Sequence, residues 1–158
     1  MIISRANLRR YLVAAAAVLV FAVASRETET PPSGIQVVLD SQKPLSLRVT
    51  VTSHAEMPVN IVKYRLPWGV TNSMILVAVT PGKEYVVRNF PEEYPSYERV
   101  PFGPNESLSG DVSLEKAFTG LDAALKKSDI HLFWAYEAPE ELHIAHWSGG
   151  WILIPQRK

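Results

Sequence analysis

The chain has 158 residues, 16 Lys and Arg against 16 Asp and Glu, four histidines and no cysteine. The lack of cysteine excludes disulfides, thiolate metal sites and a cysteine nucleophile together, so stability has to come from packing. The basic residues are scattered, which removes the cationic stripe that nucleic-acid binding leaves on a sequence.

Residues 1–24 read as a signal peptide. Arg5, Arg9 and Arg10 precede an apolar run from Tyr11 to Ala24, and Ala22-Val23-Ala24 ends it just before a polar stretch. A basic start, a short apolar run and small residues at the junction are the parts of a secretory signal. The run is shorter than the roughly 20 residues a spanning helix needs, so cleavage after Ala24 or Ser25 is expected, with no stable membrane insertion afterwards. Losing the three arginines leaves 13 cations against 16 anions. The mature protein is then secreted or periplasmic, with residues 25–34, including Pro31-Pro32, as a linker and 35–158 as one domain.

Beyond the linker, period-2 patterns dominate. Ile35–Asp40 is a first strand. Leu45, Leu47, Val49 and Val51 alternate with Ser46, Arg48, Thr50 and Thr52, as in a half-buried antiparallel strand. Val59–Tyr64 follows a polar turn. Met74–Val79 is continuously apolar, which predicts a strand covered on both faces with Ile75 and Val77 in the core. Thr80-Pro81-Gly82-Lys83 fits a type II turn with Gly82 at positive φ, leading into a return strand over Glu84–Arg88. Asn89–Pro104, with four prolines, reads as a long irregular loop. A strand around Ser107–Val112 precedes a helical turn over Ser113–Phe118, capped by Ser113, and a second turn is expected over Asp122–Ser128. Strands over Ile130–Tyr136, with Trp134 inward, Leu142–His146 and Trp151–Pro155 complete the chain, Trp147–Trp151 serving as a glycine turn. Many short strands at this spacing predict an all-β, immunoglobulin-like antiparallel β-sandwich with one or two short helical turns.

In that order the blocks Leu47–Ser53, Val59–Leu66 with Pro67-Trp68-Gly69, Met74–Thr80, residues 104–118, Ile130–Tyr136 and Trp151–Pro155 resemble the N-terminal, non-catalytic domain of deuterolysin-type (M35) zinc endopeptidases. Those enzymes carry a His-Glu-x-x-His helix in a second domain, a motif absent from this sequence. The resemblance therefore implies a sandwich that contacts a protein, a protease among the candidates, rather than proteolysis.

The chemistry-bearing residues fit no catalytic pattern. There is no Gly-x-Ser-x-Gly elbow, and the paired acids Glu92-Glu93 and Glu140-Glu141 suit solvated loops. His143 and His146 would share a face on a helix, but on a strand a spacing of three points them apart. A hydrolase or metal-binding protein using His131, His143 and His146 is the alternative reading; no cofactor or metal is expected. The aromatic loop is more informative. Tyr94 and Tyr97, in a proline-stiffened segment, lose little entropy on binding, and with Trp68 they are the expected contact residues for a protein partner.

Overall fold

The computed structural model describes residues 33–43 and 45–157. The expected signal peptide over 1–24 and linker residues 25–32 lie outside the described residues. The strands are β1 (Ile35–Leu39), β2 (Ser46–Thr52), β3 (Val59–Val62), β4 (Ile75–Val79), β5 (Val87–Arg88), β6 (Arg99–Phe102), β7 (Ser107–Ser113), β8 (Phe118–Thr119), β9 (Ile130–Glu137) and β10 (Trp147–Ile154). Helices α1 (Leu114–Ala117) and α2 (Leu121–Leu125) are one turn each.

Two antiparallel three-stranded sheets form the sandwich, in the orders β1-β2-β7 and β10-β9-β4. These are the A-B-E and G-F-C arrangements of an immunoglobulin-like fold, with β3-β6 and β5-β8 as additional two-stranded ribbons. The alternation in β2 works as its pattern requires: Leu47, Val49 and Val51 are wholly buried, and Arg48 faces out. Beside Arg48, Thr50 pairs with Ser109 and Thr52 with Ser107 through hydroxyl contacts of 2.8 Å. The facing layer contributes Leu76, Ala78, Leu132, Trp134, Tyr136 and Ile154 to one continuous core. Ser113 caps α1 by accepting the Lys116 amide at 3.3 Å. Gly120 precedes α2 with φ +74°, a left-handed conformation that favours glycine.

Several expectations are corrected. Ile75 and Val77 are not core residues: Leu76 and Ala78 point inward, and Ile75 is exposed. A run with no polar member has no alternation to fix its faces, and the sheet covers only one of them. Gly82 does not carry the positive φ of the 80–83 turn; Lys83 does, at +65°, so the first three residues turn without a left-handed step. Of the expected return strand only Val87–Arg88 is a strand, with one further bridge from Tyr85 to Val79. Part of the expected 89–104 loop is β6, paired with β3. Pro101 sits opposite Asn60 in that ribbon, where one side needs no donor. Leu142–His146 is not a strand, because Glu140–Leu142 forms a 3-10 turn that ends with His143 at φ +53°. The Trp147–Trp151 stretch is not a turn but the first half of β10, paired without interruption to β9. Gly150 lies opposite Trp134, whose indole Nε1 is 3.3 Å from where a Cβ would stand, so the inward tryptophan covers the glycine.

Candidate binding surface

β4, β9 and β10 put their even-numbered residues into the core, so the odd-numbered ones make the outer face. The register aligns them in rows: Gly149, Ala135 and Ile75; Trp151, Phe133 and Val77; Leu153, His131 and Val79. Trp147 stands beside Glu137 at one end. The bridge from Val79 to Tyr85 carries the last row one strand further, and Val87 follows Tyr85 at the same period. An outer sheet face normally alternates toward polar residues. This one does not.

Of the eleven exposed large hydrophobic residues among the described ones, six belong to this face: Ile75, Tyr85, Val87, Trp147, Trp151 and Leu153, each 52–75% exposed. Together they present on the order of 700 Å² of side-chain surface, more than the about 300–600 Å² of a typical monomer's largest apolar patch. The Trp151 ring packs against Phe133 at 5.2 Å between centroids, the two planes 57° apart. Charge is nearly absent: Glu137 is 3.3 Å from His146 Nε2, and His131 is the other titratable member of the rows. A groove of about 400 Å³ runs from Tyr85 and Val87 along α2 to Ala123 and Lys127. It is an open trough, and Thr80, Glu84, Lys127 and Ser128 add polar groups to its lining.

The residues singled out from sequence lie elsewhere. Tyr94 is 92% exposed and Tyr97 is exposed with its ring edge-on to Tyr64 at 5.5 Å. Their loop is tethered where Glu93 accepts from the Thr71 hydroxyl at 2.7 Å and from the Thr71 amide. Those hydrogen bonds, the amide's first, hold the Glu93 carboxyl below its ordinary value. Trp68 is half-buried and packs under Gly110 of β7, so close that a Cβ on that glycine would fall 2.1 Å from the indole. The two tyrosines are thus free to touch a partner, and Trp68 spends its ring on the sandwich.

The three histidines do not converge. His131 is the second residue of β9 and His146 meets Glu137 at the strand's other end, six residues or roughly 20 Å away along the strand. Among the described residues no three His, Asp or Glu side chains come together as a metal site. The outer apolar face was legible in the pattern Trp147-x-Gly149-x-Trp151-x-Leu153, a period-2 repeat hidden because the two glycines signal a turn. No protein-family model matches the chain, and no curated protein matches it.

Proposed function

We propose that the chain is an exported, non-catalytic protein-binding module. The observation that carries this reading is the apolar face built from β4, β9 and β10, which the other described residues leave exposed. A sheet face with two exposed tryptophans, a leucine and an isoleucine in register is costly to leave in water, and aromatic anchors of this kind dominate protein interfaces. Export rests on the pattern of residues 1–25. Tyr94 and Tyr97 offer a second, smaller contact surface, and the likeness to the deuterolysin-type domain makes an exported protease the first heterologous partner to try. The separation of His131 from His146 weighs against a hydrolase or metal protein.

The test is capture of binding partners from the exported fraction by wild-type protein, by Trp147→Ser/Trp151→Ser and by Tyr94→Ala/Tyr97→Ala, with mass-spectrometric identification. Loss of two aromatic anchors should weaken binding by about 2 kcal/mol or more while the melting temperature stays close to wild type. Capture unchanged in both variants, or stoichiometric metal in the purified protein, would overturn the reading.

A further inference from the structure

The face is shaped to fit itself. Along β10 the large side chain of Trp151 stands next to the smallest row of the face, Gly149 with its neighbour Ala135, and Trp147 follows on the other side. A two-fold interface requires each surface to carry both the knob and the recess that receives it. Here both lie one row apart. We propose that this face packs against the same face of a second copy of the chain, with Trp151 of each copy seated over Gly149 and Ala135 of the other. The proposal rests on the reading of the face as a protein contact surface and names its occupant.

Charge and area both favour a second copy. A two-fold axis brings any charge beside it close to its own duplicate, so the centre of an isologous patch tolerates few charges. The rows hold no Lys, Arg or Asp, and their one carboxylate, Glu137, stands at the last position of β9. A neutral face also offers nothing to steer a charged partner. Two copies would bring together on the order of 1,400 Å² from the six exposed side chains, above the about 1,200 Å² where stable interfaces begin. Gly149 carries no side chain, and a Cβ there would stand 2.9 Å from the Trp134 carbonyl, so the backbone itself keeps this position low. The recess therefore belongs to the sheet itself, not to a movable loop.

Sedimentation velocity on the protein recovered after export of the full-length chain, across micromolar concentrations, tests this. Wild type should sediment as a dimer. Trp151→Lys removes the knob and Ala135→Leu fills the recess, and each should raise the dimer dissociation constant about tenfold or more with little change in melting temperature. Tyr94→Ala/Tyr97→Ala should leave the dimer intact. A monomeric wild type overturns the second copy, and if Trp147→Ser/Trp151→Ser still loses a captured partner, the wider reading of the face survives that failure. A dimer indifferent to both Trp151→Lys and Ala135→Leu also overturns the proposal, because its interface would lie elsewhere.

Discussion

Trp68 and Gly110 are a single packing unit made from residues more than forty positions apart. Gly110 lies between Val49 on the neighbouring strand and the indole beneath it, and it has no side chain because the ring occupies that space. Gly110→Ala would set a methyl carbon 2.1 Å from the indole, so Trp68 would have to leave its seat. Overpacking of this kind costs about 1–3 kcal/mol. A urea titration should register that loss, together with a shift in tryptophan emission as the ring moves toward water. Unchanged stability and emission would mean that the ring does not rest on the glycine. Gly150 and Trp134 repeat the device across two strands of the other sheet.

At the scale of elements, a strand's faces are set by the alternation of its side chains and by what lies on either side of it. β2 has both: alternating residues, and a paired strand on each edge. Val49→Asp should therefore place an unpaired charge among Leu47, Val51 and the facing sheet, costing more than about 4 kcal/mol. Far-ultraviolet circular dichroism and a thermal melt would register it. A variant that melted like wild type would require the register to shift by one residue. β4 lacks the first condition, which is why its inward residues could be chosen only when β9 was seen beside it. β10 has the alternation, but its tall residues face outward.

For the molecule as a whole, Tyr136 ties the sheet β10-β9-β4 to the turn that follows β3. Its hydroxyl donates to the Arg65 carbonyl at 2.7 Å from an almost fully buried ring. Burial pushes the phenol well above its ordinary value of 10. A group whose native pKa is raised lends stability that is complete below the unfolded value and is lost progressively as pH rises from there through the native one. The fold should therefore weaken from about pH 10 upward as the unfolded chain ionises while the native ring cannot. Tyr136→Phe should cost about 1 kcal/mol at neutral pH through the lost hydrogen bond. It should also flatten the alkaline limb, since phenylalanine has nothing to ionise. Denaturant melts at pH 7 and above pH 10 would separate the two effects, and an equal alkaline loss in the variant would exclude Tyr136 as its source.

The sandwich class, β2 and its core residues and the Ser113 cap follow from local chemistry: a period of two, a hydroxyl before a helical turn, prolines and glycines at breaks. These signals involve neighbours in the chain, so the sequence by itself determined them. Which face of Ile75–Val79 is buried, whether Gly149 and Gly150 turn the chain or continue it, and where Trp68 rests were decided by tertiary structure. Each depends on a residue far away: Trp134 covers Gly150, β9 orients β4, and Gly110 receives Trp68. The apolar surface itself arises the same way. Its rows join β4 to β9 and β10, which lie far along the chain from it, and only antiparallel pairing lines up Trp151, Phe133 and Val77 into one face.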